Sequence, residues 1–255
     1  MPVEFKRVPA VDKCFAILAL FAKTNHPLGN SEISKQLSLN KSTVFNTIHT
    51  LADLNVLENG TDGKFRFGTR LFTLGNAAGK RSELIQTVHP YLEAINRVTK
   101  LSAFLGIRSD LSAVIIDKVD SAHDIKISSE IGMQLPLLAG SGGKALLSLL
   151  PDKDLDRILS GNELKKFTLH THIDKSDYRR EIEETRRQGI AYDIEEYLEG
   201  VVALAVPLKT NRRDLQAAVW AVGLKQQLSA TALSEFSGFI KDMANEMNQR
   251  FAAAA

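Results

Sequence analysis

The chain has one cysteine in 255 residues, so no intramolecular disulfide can staple it. That residue, Cys14, lies in the apolar run CFAILALF, where a buried helix position is expected rather than a reactive thiol. No apolar run reaches the roughly 20 residues needed to span a bilayer. The N-terminal stretch MPVEFKRVPAVDK also lacks the apolar core of a secretion signal. A cytoplasmic location with no membrane partner is therefore expected. Net charge is only +2, from 32 Lys and Arg against 30 Asp and Glu, which excludes a uniformly polybasic or acidic chain. Internal repeats are absent, and low complexity is confined to the terminal alanines.

What charge there is divides unevenly. Residues 1–80 hold ten Lys and Arg against six Asp and Glu, a net of +4, and the remainder, 22 against 24, nets −2. A small basic head on a near-neutral body suits nucleic-acid binding. The head reads as helix, helix, turn, helix and hairpin. A helix over Val11 to Phe21 ends before the loop NHPLGN; Asn30 or Ser31 can cap a short helix through Leu37; after the turn SLN, Asn40 can cap a further helix. In that helix, NKSTVFNTIHTLADLNVL, Val44, Phe45, Ile48, Leu51 and Ala52 fall on one side, and Ser42, Thr43, Asn46, Thr47, His49 and Thr50 on the other. The polar side holds no carboxylate before Asp53, so it can approach phosphate without repulsion. VLENGTDGKFRFG then places short strands at Val56-Leu57 and Phe65 to Phe67 around a turn, as a wing, with Lys64 and Arg66 near a DNA backbone.

From Thr69 to Lys100 the pattern is helical, loosened by Gly75 and Gly79 and interrupted by Pro90, and reads as a linker helix followed by the first helix of a second domain. LSAFLGIR and LSAVIIDKV form a hairpin joined at Ser109-Asp110. The loop and helix LPLLAGSGGKALLSLL stop at Pro151, and a charged helix runs from Asp177 to Gln188 before Gly189. Strands Val201 to Leu208 and Leu215 to Gly223 precede an amphipathic helix from Ala230 to Phe251. This pattern makes the second domain α+β with a mainly antiparallel sheet.

The segments NSEISKQLSLNKSTVFNTIHTLADLNVLE, FRFGTRLFTLG, VHPYLEAI, GMQLPLLAGSGGKALLSLLP, RRQGIAYDIEEYLEGVVALAVPL and AAVWAVG, in this order from about Val8 to Gly223, resemble the IclR family of bacterial transcriptional regulators. The resemblance implies a winged helix-turn-helix DNA-binding domain (1–68), a linker helix (69–82) and a GAF-like effector-binding domain (83–255). It implies dimers, or dimers of dimers, on a double-stranded DNA operator, controlled by a small organic effector, with repression as the default and no enzymatic activity or cofactor. Carried over, Lys41, Ser42, Thr43, Asn46, Thr47 and Thr50 contact DNA from the major groove, with Arg66 on the wing. This chain departs from the family where arginines are usual, carrying Asn46 and His49, which favours A·T-leaning operators.

The family's effector carboxylate is held by the glycine-rich loop, here through amides of Ser141 and Gly142 at a helix start. Its other pocket positions fall on Ile127, Leu135, Leu137, Asp193, Val201, Ala203, Trp220 and Val222. Regulators of this kind that sense small oxo-acids have cysteine where this chain has Ala203, and serines at Trp220 and Val222. Losing three polar partners points to a more apolar effector, an aromatic carboxylate from a catabolic pathway, stacked on Trp220. The competing reading has Trp220 filling the cavity, giving a regulator without ligand. Asp193 would either accept an effector hydroxyl or cap a turn.

Other chemistries find less support. AGSGGKA approaches a nucleophile elbow, but Ala139 stands where a glycine is needed, and His170 or His172 with Asp193 lack a motif of their own, so a hydrolase using Ser141 is remote. The GGK sequence lacks the first glycine and the hydroxyl of a phosphate loop. His170 and His172 could share one face of a strand, yet no third metal ligand stands at a recognised spacing, and no metal is expected. RREIEETRR reads as a solvated helix face. A protein-docking use of the helix-turn-helix would bind without the salt dependence of phosphate contacts.

Overall fold

In the computed structural model, which describes residues 5–24, 26–212 and 214–253, contacts divide the chain into two compact units, Met1–Arg81 and Ser82–Ala255. Met1 to Glu4 of the stretch read for a secretion signal, and the last two alanines, lie outside the described residues. No described helix is long and apolar enough to cross a membrane.

In the first unit, α1 (Pro9–Lys23), α2 (Asn30–Leu37) and α3 (Lys41–Asp53) form a helix-turn-helix, and β1 (Leu57–Asn59) pairs antiparallel with β2 (Phe65–Phe67) as the wing. The capping differs from expectation. Gly29, not Asn30 or Ser31, is the N-cap of α2, and the Glu32 carboxylate accepts its backbone N–H at 2.8 Å. Asn40 does precede α3, but its side chain makes no cap hydrogen bond. Ser38, left-handed at φ 53°, closes α2, and its neighbour Leu39 donates to the Ser34 carbonyl, so the turn is set by backbone geometry. Ile17, Phe21, Leu28, Ile33, Val44, Ile48, Leu51, Leu57 and Phe65 make the core. Cys14, expected to be buried, is only half-buried at its edge. The helix expected at 69–82 forms as α4 (Thr69–Lys80), groups with this unit and buries none of its residues.

The second unit is built on one six-stranded antiparallel sheet of β3 (Ser102–Ser109), β4 (Ser112–Val119), β5 (Gln134–Pro136), β6 (Ala191–Ile194), β7 (Val201–Leu208) and β8 (Ala217–Leu224). The strand order is β5-β4-β3-β8-β7-β6. Ser109 pairs with Ser112, so Asp110-Leu111, rather than Ser109-Asp110, makes the hairpin turn, with Asp110 at φ 52°. One face of the sheet receives α5 (Glu83–Thr99) and α9 (Ala230–Ala253) through Leu84, Val88, Leu92 and Ile95 and through Ile240, Ala244, Met247 and Phe251. The other face receives α6 (Gly140–Ser148), α7 (Asp152–Gly161) and α8 (Lys175–Gln188). Coverage on both faces explains why VVALAVPL reads as a continuous apolar run and not as an alternation.

Pro90 does not interrupt α5: it removes one rung of the backbone ladder, but the apolar stripe on either side is pinned to the sheet. The short strands β5 and β6 and helix α7 have no counterpart in the sequence reading. Strands of three and four residues are too brief for a period to show, and they exist through pairing with β4 and β7. Ile48 is wholly buried in the small head core. Ile48→Ala is expected to cost the head about 2–5 kcal/mol in chemical denaturation.

Candidate functional site

On α3 the inner stripe is narrower than the helical wheel suggests. Val44, Ile48 and Leu51 are buried, whereas Phe45, assigned to the apolar side, is 50% exposed. His49, assigned to the polar side, is half-buried, its ring 4.2 Å from Phe45 and 5.3 Å from Phe65. Lys41, Ser42, Asn46 and Thr50 are exposed, and Thr43 and Thr47 are half-buried. Thr47 and Thr50 donate their hydroxyl protons to the Thr43 and Asn46 carbonyls at 2.8 and 2.7 Å, so toward an outside group they can act only as acceptors. Ser42, Asn46 and Lys41 supply the donors. On the wing, Arg66 faces Glu58 at 3.5 Å, and Lys64 faces Glu32 at 3.8 Å.

The second unit contains a cavity of about 480 Å³ between the sheet, α6 and two loops. Ile127, Leu135, Ser141, Gly142, Asp193, Val201, Ala203, Trp220 and Val222 all line it. Leu137 does not: it is fully buried in the core beneath α6, with its carbonyl where a Gly143 side chain would be. The sheet register explains the grouping. Asp193, Ala203, Val222 and Ser102 are successive cross-strand partners, and Ala191, Ala205, Trp220 and Phe104 form the adjacent row on the same face. The small side chain at 203 leaves depth that a larger one would fill. The Ser102 hydroxyl donates to the Ile127 carbonyl at 2.5 Å, fixing the loop that carries Ile127 over the opening.

Trp220 does not plug this space. Its ring lies between two glycines: a Cβ on Gly106 would fall 2.1 Å from it and one on Gly142 3.2 Å away. The indole is thus clamped flat against β3 beside the start of α6, as one wall of the cavity. No side chain caps α6, and the Ser141 hydroxyl at its first turn is buried without a hydrogen-bonding partner. Unfilled amides and an unused hydroxyl at a helix N-terminus make a ready anion site. A hydrolase would need a base on Ser141, and among the described residues none hydrogen-bonds to it. His170 and His172 sit in a turn and coil, not on a strand, and no group of three metal-ligating residues occurs among the described residues.

Beneath the cavity lies a charge cluster absent from the sequence reading. Lys144, 1% exposed, reaches both Glu196 oxygens at 2.7 and 2.9 Å, and Glu181 at 3.5 Å. Its sequence signal was a lysine inside an otherwise apolar helix, GKALLSLL. Thr171 donates to the Glu196 carbonyl and Thr168 to the Glu195 carbonyl, each at 2.6 Å, and the Glu196 N–H donates to Asp193 Oδ1 at 2.7 Å. Asp193 therefore does cap a turn, while its other oxygen abuts Gly140, which is left-handed at φ 65°. Burial, reinforced by the Glu196 charge, pushes the Asp193 carboxyl up to about 6. The stabilisation from its neutral form is present in acid and is lost as pH rises through that value. Burial likewise raises the Tyr178 phenol, with Glu196 and Asp193 adding to the effect. Lys144→Met strands Glu196 without its partner and is expected to cost about 3–5 kcal/mol in urea denaturation, with much of it recovered in Lys144→Met combined with Glu196→Leu.

Residues 10–60 match the IclR helix-turn-helix domain, and residues 76–249 match the bacterial transcriptional regulator IclR C-terminal domain. The chain is 31% identical over 202 residues to the transcriptional regulator KdgR of Escherichia coli, covering 79% of this chain and 76% of that protein. The match to KdgR of Dickeya chrysanthemi covers 66% of that protein. The transcriptional repressor IclR of Escherichia coli is 25% identical over 244 residues, or 94% of this chain and 89% of that protein. Among solved structures, an IclR regulator from Alicyclobacillus acidocaldarius has a TM-score of 0.83 at 20% identity, covering 96% of this chain and 99% of that one. An IclR homolog from Microbacterium hydrocarbonoxydans complexed with 4-hydroxybenzoate has a TM-score of 0.76 at 21% identity, covering 96% and 99%. These relatives are regulators and not enzymes, and several are named repressors. The chain belongs to the IclR family of bacterial transcriptional regulators, which bind DNA through the helix-turn-helix.

Proposed function

We propose that this regulator is a repressor released or retuned by an aromatic carboxylate bound in the 480 Å³ cavity. The observation that carries the reading is the pairing, in one cavity, of an uncapped helix start bearing a free Ser141 hydroxyl with an indole clamped by Gly106 and Gly142. The helix start suits a carboxylate and the indole a flat ring, and the Ala203 and Val222 walls offer nothing to a small polar acid. The acid bound by the Microbacterium protein is of this class. Asp193 stands beside the carboxylate end, so an acid binds best when Asp193 is protonated.

Titration of Trp220 emission with a panel of benzoates and aliphatic acids tests this. A saturable change with aromatic acids is expected, abolished in Leu135→Arg. Apparent affinity should rise as pH falls from 8 to 5.5, and this pH dependence should flatten in Asp193→Asn. Silence across the panel, from protein that still binds DNA, would refute the aromatic-effector reading.

In the same proposal α3 enters the major groove. Lys41, Ser42, Thr43, Asn46, Thr47 and Thr50 contact the DNA, and Arg66 exchanges Glu58 for phosphate. The operator-binding form is a homodimer. Val11, Phe15, Leu18 and Ala22 recur at heptad spacing along α1, continuing from Val8 at its N-cap, with Val8, Val11 and Phe15 more than half exposed, and Phe72 and Leu74 are exposed on α4. Apolar stripes of this period are covered by a second copy. Phe15→Glu is expected to lower the mass measured by sedimentation and to weaken operator binding at least tenfold, while leaving effector titration unchanged.

A further inference from the structure

We propose that Phe45 is a base-reading residue that contacts a thymine 5-methyl group in the operator. The inference rests on α3 being the groove-bound helix. A phenylalanine on the inner stripe of a three-helix head should join its core, yet Phe45 is 50% exposed and lies outside the cluster formed by Val44, Ile48 and Leu51. The exposed ring is nevertheless held in place. His49, one turn further on, lies 4.2 Å from it, and His49 meets Phe65 edge-on at 5.3 Å. Phe65 is 3% exposed and bonded through its backbone to Leu28. A relay of three rings thus anchors Phe45 to the core and fixes where its free face points.

That face lies in the N-terminal half of α3, next to Asn46 and one turn from Lys41 and Ser42. This half of a recognition helix is the part that meets base edges. In the major groove the thymine methyl is the one bulky apolar group a base presents, the C–H positions of the other bases being far smaller. An aromatic ring there has no hydrogen bond to offer, so its discrimination comes from covering that methyl. Asn46 beside it is the adenine-reading side chain, and the two together select an A·T-rich step. The remaining exposed groups on the helix act through hydrogen bonds or charge, so Phe45 accounts for a preference they cannot produce.

The test uses the full-length protein and a duplex selected from a random pool by the wild type. Each dT is replaced singly by dU, which removes a methyl and nothing else, and Kd is measured at fixed salt. The wild type should lose about fourfold in affinity at one dT per half-site, the size expected for a single buried methyl. Phe45→Ala and Phe45→Gln, both at a half-exposed position, should bind more weakly overall and show no difference between dT and dU there. Indifference of the wild type to every dU exchange would overturn the proposal. So would undiminished methyl sensitivity in the two variants. Failure of the groove assignment itself shows differently, as affinity unchanged in both Lys41→Ala and Asn46→Ala, and it would remove this proposal as well.

Discussion

The buried ammonium of Lys144 sets the terms for the effector-sized cavity. A lysine with 1% exposure forfeits its hydration, and only close carboxylates compensate. Glu196 supplies both oxygens and Glu181 a third contact, so α6, α8 and the loop after β6 converge on one point. Once Glu196 is held there, its backbone is committed as well: the carbonyl takes the Thr171 hydroxyl, and the N–H goes to Asp193. The cavity floor is thus a network in which each polar group is placed by the one before it. This explains how Asp193 can be buried beside another carboxylate and still be ordered.

Above that floor, the cavity exists because the sheet presents small residues where its neighbours present large ones. Ala203 on β7, paired with Val222 on β8, leaves a hollow that the indole lines without filling. Gly106 and Gly142 let the ring lie flat. Any side chain at Gly106 would push the indole outward, so a glycine on one strand controls the shape of a site whose chemistry belongs to other elements. The polar helix start and the apolar walls line one space, a combination that suits a ligand carrying both an anionic group and an apolar body.

The head obeys a different constraint. Its core is small, and α3 spends only one narrow stripe on it, leaving most of the helix surface free. Two of the threonine hydroxyls are turned back onto the helix. The outward chemistry is therefore concentrated in Lys41, Ser42, Asn46 and the anchored ring of Phe45.

Sequence alone determined the helix-turn-helix, the hairpin wing, the long strands and the family, because these rest on apolar periodicity, turn residues and an ordered set of motifs. The family resemblance carried over part of the cavity lining, with Leu137 wrongly included because its carbonyl is drawn under Gly143, and it missed Phe104, Met133, Phe167, Tyr197 and Leu198. Tertiary structure decided what periodicity cannot encode. It formed β5 and β6, too short to show a pattern until paired, and carried α5 through Pro90 because packing outweighs one lost hydrogen bond. It brought Lys144 to Glu196 across 52 residues of chain. It also exposed Phe45, which a helical wheel assigns to the core, because the rings of His49 and Phe65 occupy the space beside it. A wheel records direction from the helix axis, whereas burial depends on what stands opposite, and only the folded chain supplies that.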